Sequence, residues 1–326
     1  MKLWWRVLGL VLAGGVFQAA HAQNRTPSSG AADGWALAFS DEFNGTALDT
    51  AKWTSYKDCW GGGNKERQCY TGRPSNISVH DGALDLTARF EEATGPSLPL
   101  DQRKPDVTTP NATKPFTSGK VSTFGKFSFT YGRVEVRAKM PTGQGVWPAI
   151  WLLPEKFVYG EWPGSGEIDV MEAVNTGVHC VDCPGGVQNN IYGTIHYGSN
   201  MHHQFQQKAA QLPKGTEGDW HTYRIDWLPN KIIWYLDGKE YNQIKLANWR
   251  DKLQKNASQL APSVQNAPFD RPFYLILNFA VGGEWPESHD LAGVALGDYP
   301  KSFAIDWVHI FTCPTTVTKD GECKAS

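Results

Sequence analysis

The sequence predicts an all-β protein, a two-sheet antiparallel β-sandwich of the jelly-roll kind, and three observations carry that prediction. Apolar and polar residues alternate with period two through most patterned segments. Thirty-three glycines and 20 prolines punctuate many short runs. The only helix-like window, residues 245–260, is short and polar. Short alternating strands with frequent turns pack as two antiparallel sheets rather than as helices on a parallel one.

Taken in chain order, residues 1–22 read as a signal peptide. Lys2 and Arg6 flank the start of an apolar stretch from Val7 to Val16, and Ala20-His21-Ala22 has the small-x-small pattern of a cleavage site. Cleavage near Ala22 implies a secreted or periplasmic protein. Residues 23–32 (QNRTPSSGAA) are small and polar, a linker that leaves 33–326 as one globular domain. In ALDLTAR, Leu84 and Leu86 oppose Asp85 and Thr87. In RVEVRAKM, Val134, Val136 and Ala138 oppose Arg133, Glu135, Arg137 and Lys139; in TYRIDW, Tyr223, Ile225 and Trp227 oppose Arg224 and Asp226. Asp237-Gly238 within IIWYLDGKEY is a short-hairpin signal. RPFYLILNFAVGG and FAIDWVHIF are near-continuous apolar strands suited to face another sheet. Residues 91–118, polar and rich in Pro and Thr, read as a long hairpin loop over a binding surface or as a mobile surface segment. No internal repeat and no second domain is visible.

Composition narrows the class. A chain of 326 residues with 40% hydrophobic and 20% charged residues suits one soluble unit with a sizeable core. The net charge of −2 gives no basic excess for nucleic acid. Beyond the signal peptide no apolar run reaches the ~20 residues of a membrane helix, so no membrane insertion is expected. Six cysteines fit an oxidising compartment. The preferred pairs, each closing a short local loop, are Cys59–Cys69, Cys180–Cys183 and Cys313–Cys323, although several connectivities are open. For Cys180 and Cys183 the alternatives are free thiols or half a zinc site with His179, which lacks a second ligand pair.

The segment GEIDVMEAVN sets Glu167, Asp169 and Glu172 in an otherwise apolar run. On a regular strand Glu167 and Asp169 share a face and Glu172 falls on the opposite, buried one. A β-bulge at Val170 or Met171 returns Glu172 to the face of the other two. Several of the 14 tryptophans lie beside Gly, Pro or this acid row: Trp60, Trp147, Trp151, Trp162 and Trp285. Indole faces stack on sugar rings and their N–H edges meet hydroxyls, although any single one is as readily a core residue. Carboxylates in a row among aromatics, in an exported protein, point to glycoside hydrolysis, which in its retaining form needs two carboxyl groups about 5 to 5.5 Å apart. A solvated acidic edge and a calcium site are the alternatives.

GEIDVMEAVN resembles the E-x-D-x-x-E signature of glycoside hydrolase family 16, in its longer, bulged form. SDEFNG, GGGNKERQCYT, YGRVEVRAKMPTGQGVWPAIWLLP, GTIHYG, DWHTYRIDWLPNKIIWYLDGK, LILNFAVGGEWP and FAIDWVHIF follow in the order of the laminarinase-like (endo-β-1,3-glucanase) branch. The resemblance implies a jelly roll with a concave substrate cleft, Glu167 as nucleophile, Asp169 as its assistant and Glu172 as acid/base. It implies that His196, Asn64, Arg133, Trp147, Trp151, Trp162 and Asn278 line the cleft. It further implies no cofactor for catalysis and a structural calcium ion on the convex face, held by Glu42, Gly82 and Asp306. Asp306 also reads simply as an outward-facing strand residue.

The sequence departs from the family pattern at Cys69, where an aromatic is common, and at Lys65 and Arg67, which add positive charge near the presumed non-reducing subsites. The loop 176–190 is also longer than the minimal connection. Three functions remain at this level: a β-1,3-glucanase, with mixed-linkage β-1,3-1,4-glucan as a further substrate; the same chemistry on agarose or carrageenan; and a noncatalytic glucan-binding lectin. The partner is a polysaccharide, and a monomer leaves the cleft open to a polymer.

Overall fold

Alternation of the kind seen in the sequence produces strands with one apolar face, and two such faces close on each other. The computed structural model describes residues 34–313, except 101–102, 105, 200, 246–265 and 289–292, together with 316–317 and 323–324. The expected signal peptide and linker, and the helix-like window beyond Lys245, lie outside the described residues.

The strands are β1 (Ala36–Asp41), β2 (Thr54–Ser55), β3 (Gln68–Tyr70), β4 (Ile77–His80), β5 (Ala83–Pro96), β6 (Asn111–Ser118), β7 (Lys120–Ser122), β8 (Gly132–Lys139) and β9 (Val146–Pro154). There follow β10 (Glu167–Glu172), β11 (Asn190–Ser199), β12 (His202–Gln211), β13 (Trp220–Leu228), β14 (Lys231–Leu236), β15 (Lys239–Lys245), β16 (Phe273–Val281) and β17 (Lys301–Thr312), with a short helix α1 (Glu284–Ser288). One sheet runs β15-β14-β13-β8-β17-β5-β6-β3, with β1 beside β17 and β4 beside β5; the other runs β12-β11-β10-β9-β16-β7-β2. All pairings within the second sheet are antiparallel, and the first has a single parallel pair, β3 with β6. The predicted sandwich is therefore present. No helix among the described residues is long and apolar enough to cross a membrane.

The core lies between the sheets. Leu84, Leu86, Val134, Val136, Ala138, Tyr223, Ile225 and Trp227 from the larger sheet meet Ile150, Leu152, Ile168, Ile195, Leu275 and Leu277 from the smaller one, all buried in one cluster. Fully burying a side chain of this size contributes about 1.5–3 kcal/mol, so the alternating strands are held by their inward residues. β14 and β15 are joined by Asp237 and Gly238, both at positive φ, as a two-residue turn of the twist-matching kind requires.

Residues 91–118 depart from the sequence reading. They do not form one long loop: β5 continues to Pro96 and β6 begins at Asn111, and the two pair as a hairpin extension. Thr94 and Thr113 hydroxyls bond across it at 2.7 Å, and β-branched cross-strand pairs of this kind support a strand even where the sequence is polar. Cys59–Cys69 and Cys180–Cys183 are bonded as expected. Cys313 is disulfide-bonded too; the side chain of its expected partner Cys323 lies outside the described residues.

Arg133 does not line the cleft. Because Val134, Val136 and Ala138 point into the core, Arg133 projects from the outer side of the larger sheet, with both sheets between it and the acid row. There its guanidinium donates two hydrogen bonds to Asp226, at 2.8 and 3.1 Å, and sits 5.7 Å from the Trp35 ring centroid. Alternation placed it outward, and outward on this sheet means away from β10.

Glu42, Gly82 and Asp306 are neighbours by register. β17 pairs with β5 up to Ile305 opposite Leu84, then with β1 from Val308 opposite Asp41. The end of β1 and the β4–β5 turn therefore meet beside Asp306. Arg137 holds one carboxylate oxygen of Asp306, His309 holds one oxygen of Glu42, and the other Glu42 oxygen is buried without a hydrogen-bond partner. Oxygen-only donors with an orphaned carboxylate oxygen fit a hard cation such as calcium.

Candidate active site

β10 carries the bulge that the acid spacing requires. Against β11, Glu167 pairs with His196, Asp169 with Thr194, and Glu172 with Tyr192. Three residue steps on β10 from Asp169 to Glu172 thus match two on β11. Against β9 the extra residue falls between Asp169 and Met171. Val170 and Met171 are both buried, and the three acids emerge on the sheet's outer face. Glycine 166, at positive φ, leads into the strand.

Each acid has a defined partner. Trp162 Nε1 donates to Glu167 Oε2 at 2.8 Å, and Trp147 Nε1 donates to Glu172 Oε1 at 3.0 Å. Asp169, 2% exposed, lies between them, with His196 Nε2 at 3.2 Å from its Oδ2 and 3.8 Å from Glu167 Oε1. Trp151 stands opposite Asp169 on β9 and donates to Asn278 Oδ1 at 2.6 Å; Asn278 Nδ2 donates to the Tyr70 hydroxyl at 3.0 Å. Trp147, Trp151, Trp162, His196 and Asn278 thus gather around the acids as the resemblance implies. Asn64 is one step removed, on the Gly61–Gly63 turn, where its amide reaches the Gly62 carbonyl at 3.3 Å and Glu66 Oε1 at 3.5 Å.

Burial raises the pKa of all three carboxyls, each to about 8. For Glu167 and Glu172 the next cause is the charge of Asp169, while His196 and the indole N–H bonds act the other way. A hydrogen bond with Glu167 opposes the shift at Asp169. Three acids in one desolvated row cannot all ionise near neutral pH, so the row retains protons there. A row that holds a proton beside an ionisable carboxylate is what acid-assisted nucleophilic attack needs. Glu167, Asp169 and His196 lie close enough together to offer ligands to a cation.

A sequence model of the family described as "Glycosyl hydrolases family 16" matches residues 64–289, more than half of the chain. The chain belongs to glycosyl hydrolase family 16. "Glucan endo-1,3-beta-glucosidase A1" of Niallia circulans is 39% identical over 297 residues, which are 88% of this chain and 39% of that protein. The chain thus spans about two fifths of that relative's length. The X-ray structure of the laminarinase from Rhodothermus marinus superposes with a TM-score of 0.66 at 34% identity, over 85% of this chain and 97% of that one. "Keratan-sulfate endo-1,4-beta-galactosidase" of Sphingobacterium multivorum is 33% identical over 88% of this chain and 57% of that protein. The family 16 fold and the bulged acid strand agree, and the chain is a glycoside hydrolase.

Several groups at the site escaped sequence reasoning. Glu66 is buried, bonded by Gln68 Nε2 at 2.6 Å, and its charge helps to raise Glu172. It lies in the motif GGGNKERQ, two positions after Asn64. Lys120, opposite Asn278 on β7, lies 4.5 to 5.7 Å from the ring centroids of Tyr56, Trp151 and Tyr70. Trp285, already singled out among the tryptophans, packs edge-on against Trp147 and Tyr192 at 5.4 and 5.1 Å. The positive charge expected from Lys65 and Arg67 is neutralised, since Glu284 pairs with Lys65 at 2.7 Å and Glu287 with Arg67. Cys69 carries no ring into the site because its sulfur is bonded to Cys59.

The raised carboxyls predict a linked stability. A folded-state value of about 8 for Glu172 against about 4.3 unfolded means that the folded chain binds this proton more tightly. The contribution is complete below about pH 4.3 and is lost as pH rises toward 8. Glu172→Gln keeps the shape and removes the titration, so its melting temperature should exceed that of the parent by a few degrees at pH 8 and by much less at pH 5. Calorimetry at the two pH values checks this; an equal difference at both would remove the electrostatic account.

Proposed function

We propose that this chain is an exported, retaining endo-glycosidase that hydrolyses β-1,3-glucan of the laminarin type, and mixed-linkage β-1,3-1,4-glucan as a further substrate. The observation that carries the mechanism is the one-residue bulge that presents Glu167, Asp169 and Glu172 on one face, with an indole N–H on each outer acid. The linkage reading is supported by the two relatives named for β-1,3-glucan or laminarin.

In this reading Glu172 delivers its proton to the glycosidic oxygen while Glu167 attacks the anomeric carbon, and the aglycone leaves as an alcohol. Glu172, now ionised, takes a proton from water, whose oxygen displaces Glu167 and restores the original configuration. The Trp162 N–H and His196 favour the charged form of Glu167, and Asp169 keeps the row protonated by its charge. Trp162, 42% exposed at the rim, and the half-buried Trp151 offer ring faces to sugars, while the buried Trp147 serves through its N–H on Glu172. Asn278 and Asn64 offer amides to hydroxyls. Action as a monomer would leave the site open to a polymer. The disulfides suit export to an oxidising space after cleavage near Ala22.

A galactan is the second reading, favoured by the kinship to a keratan-sulfate galactosidase. A sulfated substrate calls for unpaired cations, and the pairing of Lys65 with Glu284 and of Arg67 with Glu287 speaks for an uncharged glucan instead. A noncatalytic lectin has no need of three desolvated acids. A calcium ion at the junction of Glu42, Gly82 and Asp306 would tie β1, the β4–β5 turn and β17 together and take no part in the reaction.

Reducing-end release from laminarin, mixed-linkage glucan, agarose and carrageenan by the mature protein and by Glu167→Ser tests the proposal. Release from laminarin should fall by at least about a hundredfold in the variant, as loss of a nucleophile requires; release from a galactan alone would move the substrate, and undiminished release would remove Glu167 from its role. For the cation, millimolar calcium should raise the melting temperature above that in EDTA, and identical curves would dismiss the site.

A further inference from the structure

β12 brings a second imidazole to the site. His203, opposite Gly198, places its Nε2 2.8 Å from Nδ1 of His196. The two rings stack at an interplanar angle of 25° with centroids 5.1 Å apart. Trp162, which donates to Glu167, lies 4.8 Å from the His203 ring, and Phe205 lies 6.0 Å from His196 and 6.1 Å from His203. A hydrogen bond joins His203 to His196, whose Nε2 approaches Asp169 Oδ2 at 3.2 Å without bonding it, so that this buried oxygen has no hydrogen-bond partner and Glu167 lies beside it.

We propose that His203 is a positioning residue, fixing the tautomer and ring plane of His196 so that its Nε2–H faces Asp169 and Glu167. This rests on the reading of Glu167 as nucleophile. An imidazole places its protons according to what its other nitrogen meets. Nε2 of His196 faces two carboxyl oxygens, at 3.2 and 3.8 Å, and a bare lone pair there would oppose whichever of them is ionised. The neutral ring that avoids this clash has its proton on Nε2 and a lone pair on Nδ1, and that lone pair needs a donor. His203 Nε2–H is placed to be that donor. Burial lowers the pKa of His203, which favours its neutral form with one proton for the shared bond. His203 touches neither carboxyl among the contacts described, so its influence on the nucleophile passes through His196.

The arrangement gives β12, an outermost strand of its sheet, a part in orienting the catalytic row. It also explains why three rings, Trp162, His203 and Phe205, cluster at one end of the row although Phe205 is largely exposed. Trp162 and Phe205 lie against the imidazole pair, and the His196 Nε2 edge faces Asp169.

The test uses the mature protein and two variants, His203→Phe, which keeps the ring packing and removes the donor, and His203→Gln, which restores an N–H. The first readout is the imidazole nitrogen spectrum of His196 without substrate. In the parent the resonances should be those of the Nε2–H tautomer, and in His203→Phe they should move toward a mixture of tautomers. The second is laminarin kinetics: kcat should drop by about tenfold in His203→Phe, the low end for a partner of a functional imidazole, with KM within about twofold, and His203→Gln should recover most of the loss. An unchanged spectrum in a folded His203→Phe, or a change in KM alone, would overturn the proposal. The spectrum is read without turnover, so it separates failure of this inference from failure of the nucleophile reading, which Glu167→Ser addresses.

Discussion

One extra residue in β10 sets the position of everything chemically useful in this molecule. Without the bulge between Asp169 and Glu172, alternation would turn Glu172 into the core, where Ile168, Val170 and Met171 now sit, and leave the outer face two acids instead of three. An unpaired carboxyl buried among those side chains would cost several kcal/mol or stay permanently neutral. The bulge is held from both flanks: β9 supplies Trp147 and Trp151 on the outer face, β11 supplies His196, and the Trp234 indole donates to the Asp169 carbonyl at 2.7 Å from the larger sheet. The two-sheet sandwich is thus the frame that keeps an irregular strand in register.

The site's electrostatics oppose the stability of the fold. Three carboxyls are withdrawn from water next to one another, and burial is the leading cause of each raised pKa. The compensation is local and directional. Indole N–H groups stabilise charge on the two outer acids, and His196 does so from the strand beside them. Glu66 adds a fourth carboxyl whose effect on Glu172 is to keep its proton in place. Such concentrations of perturbed acids belong to working sites because a structural surface gains nothing by tolerating them.

Much of this was legible in the sequence, for physical reasons that differ by element. Strands declared themselves where one face is core: Leu84 and Leu86, Val134 to Ala138, Tyr223 to Trp227. The bulge was legible because three acids at those spacings admit no other arrangement on one face. The Asp237-Gly238 turn was legible because few residues tolerate two successive positive φ values. Arg133 misled because the resemblance carried it to the cleft, whereas alternation sets it outward on the sheet away from β10. Lys65 and Arg67 misled because their partners Glu284 and Glu287 lie more than two hundred positions away, and long-range pairing leaves no local trace. His203 and Phe205 were silent for the same reason, since only the β11–β12 pairing brings them to His196. The polar stretch 91–118 left a hairpin and a mobile segment both open, because its strands are held by backbone bonds and threonine pairs rather than by an apolar face.

Retention requires that the bulge bring Glu172 and Glu167 close enough for attack by carboxylate rather than by water. The anomeric configuration of the first product reports that separation, because closely spaced carboxyls, about 5 to 5.5 Å apart, retain configuration and pairs about 6.5 to 9.5 Å apart invert it. Proton NMR of laminarin digestion, recorded before mutarotation, should show the new reducing end appearing as the β-anomer. First appearance of the α-anomer would mean that a water molecule fits between the two acids, and would contradict the geometry on which the mechanism depends.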